Sequence, residues 1–416
     1  MSDHLTDPVT SVKDNGDILW KTLFLSLVGK TLLLALLSII SDGEYYGFYT
    51  NSIASDDVRY VSGALFYSEN ASSFVDILAF REAFAQYGDY TGYSKTFSIW
   101  YWIVCLGVYL TDSIFLVRVL NIGISIATAY YVYKLCFVLF GKKSANYAVV
   151  IYSFFPYFFI FPLFLYKDQF AALLIVQAFY FAWLYRTNRK IGNVFKLCIT
   201  ITLFSFLRSG FTLILAASIL FAIMFRNNQA KKNLHIINTF IIFNIFLILF
   251  YVNPNWISES YNVVLHKITV FIVSRQITET ATIELFQLSN FYDVYRLPFT
   301  FVFALLQPIN LTGAVRSPSD LVGSLFIFNI VFMAGNLLSV FHSGFRVPPI
   351  VWSIHFLFVL TLISSLGITR HYYFMLPFYT IFLSSYFATR KGLINTLLLS
   401  IPFAGVISAY YLLKVI

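Results

Sequence analysis

Along this chain the polar positions are the exceptions. From Leu19 to Leu413 apolar side chains run in long blocks broken by short polar interruptions. A helix needs about 20 such residues to cross the hydrocarbon core of a bilayer. Blocks of that order fall near 19–41, 116–140, 144–164, 169–185, 192–208, 209–225, 234–253, 320–341, 347–366, 370–389 and 393–413. Two further runs, 97–110 and 298–310, are equally apolar but short, which suits re-entrant or interfacial pieces. The short alternating segments of a transmembrane barrel do not occur, so the predicted fold class is an all-α polytopic membrane protein.

The interruption at 42–115 is the longest near the amino terminus and carries a pattern of its own. Val58, Val61 and Leu65, then Phe74, Ile77, Leu78 and Phe84, recur at helical spacing. Arg59, Glu69, Arg81 and Glu82 supply polar positions between them. This predicts two amphipathic juxtamembrane helices, the first opening at Ser55 or Asp56 as N-cap. Gly88, Gly92 and Lys95 end the pattern before the 97–110 run.

Composition removes the soluble alternatives. Of 416 residues 59% are hydrophobic and 11% charged, against about 25% charged in soluble domains. A net charge of +9 would suggest nucleic acid in a soluble chain. Here basic loops against an anionic leaflet explain it, and no nucleic-acid partner is expected. Cys105, Cys136 and Cys198 lie in apolar runs without ligand spacing and read as packing residues.

Charge also orients the chain. The loops at 141–143, 186–190, 226–232 and 390–391 are basic and lack Asp and Glu, which makes them cytoplasmic. Alternation then gives a cytoplasmic tail at 1–18, a first span that is retained rather than cleaved, and outer segments at 42–115, 165–168 and 254–319. Beyond the tail, every acidic residue from Asp42 to Asp320 falls on the outer side. Lys30, inside the first span, is expected to snorkel to an interface.

The polar residues left at the outer side are the candidate chemistry. Asp56-Asp57-Val58-Arg59-Tyr60 opens the first juxtamembrane helix. Capping and the helix dipole favour Asp there in any case, but a carboxylate at that interface also suits a general base for an acceptor hydroxyl or amine. Arg59 and Tyr60 stand beside it. Tyr166-Lys167-Asp168 occupies the tight outer turn, where a polar residue is needed and where Lys167 suits a phosphate. Arg208, Arg316, Arg370 and His371 run against the positive-inside bias; headgroup contact accounts for such residues as readily as binding of an anionic lipid phosphate does. No Walker loop, dinucleotide fingerprint, HExxH helix or nucleophile elbow occurs.

The order of these features resembles the GT-C superfamily of integral-membrane glycosyltransferases, which includes protein O-mannosyltransferases and the aminoarabinose transferase. Asp56-Asp57-Val58-Arg59-Tyr60 stands where that family has an Asp-Glu-x-Arg-Tyr-like motif after its first span. Val117-Arg118-Val119-Leu120 and Leu139 to Ala145 look like its Arg-Leu and Phe-Gly-Arg-Arg-Ala patterns, and Phe155-Pro156 and Lys167-Asp168 like its Pro and second-loop Asp. Lys95-Thr96-Phe97 stands in place of its Lys-Pro-Pro element, and the large soluble outer domain of some members has no counterpart. The resemblance covers about the first half of the chain.

It implies a GT-C-type bundle of about 11 to 13 transmembrane helices. The transferase-like module would be 19–253, followed by the outer loop 254–319 with its re-entrant run and by spans at 320–416. It also implies an inverting transfer of sugar from a polyprenyl-phosphate donor to a hydroxyl or amine of a lipid or envelope-glycan acceptor. The expected setting is the outer face of a bacterial inner membrane, in polysaccharide biosynthesis. Asp56 would be the base and Asp168 a supporting carboxylate, with Asp57, Arg59 and Tyr60 near the base. Lys167, Arg208, Arg370, His371 and Arg316 are candidates for the donor phosphate. A divalent cation, Mg or Mn, at Asp56, Asp57 and Asp168 is compatible with this chemistry. Two alternatives stay open: a polymerase or ligase of lipid-linked oligosaccharides using a diphosphate donor, with the weight on Arg316, Arg370 and His371, and a lipid-sugar flippase.

Overall fold

The computed structural model describes residues 17–40, 55–71, 73–79, 99–224, 335, 338–339, 354, 373–389 and 391–402. The expected spans at 234–253, 320–341 and 347–366 and the loop 254–319 lie outside the described residues, apart from isolated positions. Among the described residues every regular element is helical. In chain order these are α1 (Asp17–Ile40), α2 (Ser55–Asn70), α3 (Phe74–Ala79), α4 (Ile99–Thr111), α5 (Ile114–Phe140), α6 (Lys142–Phe154), α7 (Pro156–Ile160), a 3-10 turn (Phe161–Leu163), α8 (Lys167–Asn188), α9 (Ile191–Ser205), α10 (Ser209–Met224), α11 (Leu376–Phe387) and α12 (Gly392–Pro402).

Three of these, α1, α5 and α8, are long and apolar enough to cross a membrane; α6 with α7 and the 3-10 turn makes a fourth crossing if taken as one span. That pair corrects the straight span expected over 144–164. The chain bends by 60° at Phe155, with Pro156 at the start of the next piece and Pro162 in the 3-10 turn. A proline ring lacks the N–H of the helical ladder and clashes with the preceding turn, so each proline starts a new piece. The expected outer turn at 165–168 is also shorter than the sequence implies, because α8 begins at Lys167 and takes Asp168 into its first turn.

The short run near 97–110 is α4, a helix of 13 residues, about 20 Å long at 1.5 Å per residue, against about 30 Å of hydrocarbon. Its first residue donates a backbone N–H to Phe206 O (3.4 Å), beside the turn between α9 and α10. Its last is followed by the Asp112-Ser113 junction, where the Ser113 side chain caps α5. Both ends therefore meet the same end of the bundle, and α4 lies across that end. The approach is close: a Cβ on Gly107 would stand 2.8 Å from Val117 of α5.

Helix α5 is the central element. Its apolar run carries four polar side chains at helical spacing, Arg118, Asn121, Ser125 and Thr128, all fully buried. Polar groups inside a span face the protein interior, where they find partners. At the opposite end Gly141 takes φ +86° between α5 and α6, a conformation that favours glycine, and the Lys143 ammonium donates to Ala388 O after α11 (2.7 Å). Lys142, Lys143 and Lys391 so share one end, and the described acidic residues Asp57, Asp112 and Asp168 belong to the other, while Asp17 at the start of α1 pairs with Lys21.

Lys30 does not snorkel. It is fully buried, donates to Ser125 Oγ (2.9 Å) and sits 5.9 Å from the centre of the Phe159 ring. Ser125 lies on the polar stripe of α5, so a short inward path to a hydrogen bond replaces the long outward one to water. Among the described residues no carboxylate faces the amine. Replacing it with an apolar chain of similar shape removes a buried polar head at little loss. Lys30→Met is expected to leave the unfolding midpoint in detergent unchanged or to raise it, by ~1–4 kcal/mol. A large destabilisation would mean that the amine has an anionic partner.

Candidate functional site

The site is built around a stretch of backbone without helix. From Pro162 to Leu165 four successive carbonyls lack helical partners, and each receives a side-chain donor. Asn121 Nδ2 donates to Pro162 O (3.0 Å) and Phe164 O (2.5 Å). Arg118 Nη1 donates to Leu163 O (2.7 Å), and the Trp100 indole to Leu165 O (2.8 Å). The Leu165 N–H in turn donates to Asp57 Oδ1 (2.5 Å). A buried carbonyl left unpaired costs about 1–3 kcal/mol, so this side-chain set is what permits an irregular segment at that depth.

Arg118 also closes a fork onto Asp57, with Nη1 to Oδ1 at 3.0 Å and Nη2 to Oδ2 at 2.7 Å. Both side chains are at most 1% exposed. A planar guanidinium matches two carboxylate oxygens at once, which Lys does not. The pair fixes α2 against α5. It also sets the register of α2: the buried positions are Asp57, Tyr60, Val61 and Ala64, whereas the apolar pattern alone puts Val58, Val61 and Leu65 inward. Arg118 draws a charged residue into the core face and so turns the helix from its apolar stripe.

This register separates the two adjacent carboxylates. Both Asp57 oxygens are committed to Arg118 and Leu165, so Asp57 serves the fold. Asp56 precedes it by one residue in α2; the side chains of Asp56 and Arg59 lie outside the described residues. Tyr60 is buried against Tyr101, with ring centroids 5.8 Å apart, and is close enough to Arg208 to act on its charge.

Immediately after the clamped segment come Lys167 and Asp168. Asp168 is buried in the first turn of α8, where the helix dipole favours an anion, and forms an ion pair with Arg208. Arg208 sits in the turn between α9 and α10 and packs its guanidinium against Phe211 and Phe374, at 5.9 and 5.1 Å. Burial lowers this guanidinium to about 10, with Tyr60 acting in the opposite sense; it remains a cation at neutral pH. Asp57, Tyr60, Lys167, Asp168 and Arg208 thus gather at one end of the bundle, under α2. Arg316, Arg370 and His371 lie outside the described residues. Tyr373 and Phe374, which follow Arg370-His371 in the chain, are described and belong to this end.

Sequence reasoning missed four contributors: Trp100, Asn121, Gln169 and Tyr373. Gln169, next to Asp168, donates to Thr128 Oγ1 (3.1 Å) and the Tyr152 hydroxyl (3.2 Å) and accepts from the Tyr373 hydroxyl (2.6 Å). This ties the segment leading into α11 to the first turn of α8. The available signal was the spacing of Arg118, Asn121, Ser125 and Thr128 inside one apolar run. Among the described residues no group of three His, Cys, Asp or Glu comes together for a metal ion, and Asp57 and Asp168 each carry a guanidinium partner.

Compared with known proteins, the chain matches no family model, no characterised relative and no solved structure.

Removing Arg208 leaves the Asp168 carboxylate buried and unpaired. Arg208→Met is expected to destabilise by ~3–5 kcal/mol, read from unfolding midpoints in detergent, and Asp168→Asn added to it should recover much of the loss. Midpoints within about 1 kcal/mol of wild type for the single variant would show that the pair does not hold the site.

Proposed function

We propose that this protein is a GT-C-type membrane glycosyltransferase that moves a sugar from a polyprenyl-phosphate donor to a hydroxyl or amine acceptor at the outer face of the membrane. The observation that carries this reading is the docking of α2, through Asp57, Arg118 and Leu165, onto the segment that leads into Lys167-Asp168. It sets the helix bearing Asp56 at the same end as a buried carboxylate and two cationic side chains.

In this reaction Asp56 takes the proton from the acceptor as its oxygen or nitrogen attacks the anomeric carbon. The bond from that carbon to the phosphate oxygen breaks on the opposite side, which inverts the centre. The electron pair leaves with the phosphate. A phosphate leaving group is the conjugate base of a fairly strong acid, so cations suffice to stabilise it without a protonated carboxyl. Lys167 and Arg208 supply them, Arg208 held in place by Asp168 and the Phe211 and Phe374 rings. Asp57 acts one step back, by fixing the register of the helix that carries the base.

The test is transfer by the purified protein from polyprenyl-phosphate sugars to lipid and glycan acceptors, with products identified by mass spectrometry. Asp56→Asn is expected to lower the rate by about 100- to 10,000-fold without changing the unfolding midpoint. Near-full transfer by that variant would overturn the assignment of the base. Movement of lipid-linked sugar across the bilayer with no new glycosidic bond would overturn the reaction itself.

A further inference from the structure

Two pairs of chain neighbours meet at the candidate site in a closed pattern. Asp168 and Gln169 are adjacent in α8, and Tyr373 and Phe374 are adjacent just before α11. One member of each pair holds Arg208: Asp168 by an ion pair, and Phe374 by its ring, 5.1 Å from the guanidinium. The other two members hold each other, the Tyr373 hydroxyl donating to Gln169 Oε1 (2.6 Å). The frame closes on itself, with Arg208 at one side and the Gln169–Tyr373 bond at the other.

Packing alone does not call for that bond. The Tyr373 ring stacks on Phe161, with centroids 3.8 Å apart, and meets Tyr157 edge-on at 5.3 Å; a phenylalanine would make the same contacts. Gln169 is fully buried and spends its amide hydrogens on Thr128 Oγ1 and the Tyr152 hydroxyl, which leaves its carbonyl oxygen for Tyr373. Buried hydrogen bonds of this kind add little net stability, but a fully satisfied set fixes direction. What is fixed here is the rotation of the short 3-10 turn at 373–375. Successive residues of such a turn point about 120° apart, so the bond that aims Tyr373 at Gln169 also aims Phe374 at Arg208.

Arg208 needs such aiming. It lies in the turn between α9 and α10, outside either helix, and Asp168 takes its Nη2. Its buried Nε–H has no acceptor among the described residues, so the guanidinium keeps a donor for an oxyanion. A single ion pair lets the guanidinium plane turn about the contact, whereas an aromatic face laid on the cation sets that plane. Phe211, three residues on, belongs to the same turn as Arg208 and moves with it. Phe374 is the face brought from elsewhere in the chain. On the reading that Arg208 binds the donor phosphate, we infer that Gln169 and Tyr373 are positioning residues, which through Phe374 set the orientation in which Arg208 meets that phosphate.

The test titrates the full chain in neutral detergent with polyprenyl phosphate, read by native mass spectrometry. Tyr373→Phe and Gln169→Met each break the bond from one end, and either carries the test if the other does not fold. Both are expected to weaken Kd by about tenfold, the scale of a cation losing a desolvated ring face, and Phe374→Leu should do the same. In an Arg208→Met, Asp168→Asn background these changes should have no further effect, because the residue they act through is gone. Donor KM in transfer assays should rise with Kd; a purely structural role would lower the active fraction, and so kcat, with KM and Kd unchanged. Wild-type Kd in the folded bond variants would overturn the inference, as would equal weakening in the background without Arg208. The stated Kd pattern without any sugar transfer would sink the transferase reading and leave the positioning roles standing. Transfer with wild-type Kd in the variants would do the reverse, and a wild type that neither binds polyprenyl phosphate nor transfers sugar would overturn both.

Discussion

A chain that leaves the helix near a membrane must find partners for the backbone groups it exposes, and there is little water to supply them. The whole arrangement follows from how this protein meets that demand between Phe161 and Tyr166. Four carbonyls in succession are satisfied by Asn121, Arg118 and Trp100, and the Leu165 N–H by Asp57. Three separate elements, α2, α4 and α5, are drawn to one short segment by this requirement. Arg118 has two roles in it, as donor to Leu163 and as the fork that holds Asp57. Buried ion pairs are weak stabilisers when measured against an apolar pair, so specificity is the better account of this one: it selects the face of α2 that packs.

That choice of face gives the candidate site its form. With Asp57 turned inward, Tyr60 is brought beside Tyr101 and near Arg208. Arg208 is held by Asp168 and by aromatic faces on two sides, a guanidinium whose position is over-determined before any ligand arrives. Gln169 then links the neighbouring residue of α8 to Tyr373, so the carboxyl-terminal part of the chain joins the same hydrogen-bonded frame. The two ends of the bundle differ in kind. One is acidic and clamped; the other is basic, with Lys142, Lys143 and Lys391 beside the end of α5.

Much of this was legible in the sequence, and the exceptions have physical causes. The apolar blocks, the short apolar helix before Ser113 and the helical spacing of residues 55–79 are properties of pattern, and pattern is what a membrane imposes most strongly. The sharing of one end by Asp168 and Arg208 followed from alternation and the basic loops. The break at Phe155 did not, because prolines are tolerated inside spans and do not by themselves announce a bend. Nor did the pairing of Asp57 with Arg118, although the family pattern favoured Asp56 over Asp57 as the base. Register was set by Arg118, a partner 61 positions away in the chain. Asn121, Trp100 and Gln169 carry no charge, so they were invisible to an argument built on charge placement. Lys30 was misread for a related reason: the polar stripe of α5, which gives it a near partner, becomes a stripe only when four separate residues are read as one face.

The account stands on the coupling of Asp57 to Arg118, and a double-mutant cycle measures that coupling directly. Asp57→Leu, Arg118→Met and the combined variant would be compared with wild type by reversible unfolding in mixed micelles. The structure predicts that each single change leaves a buried charge unpaired and that the double change recovers much of the loss, a coupling of ~2–3 kcal/mol. Single effects that add to within about 0.5 kcal/mol would mean that the two side chains act independently, and that α2 is not held over the clamped segment in the way described.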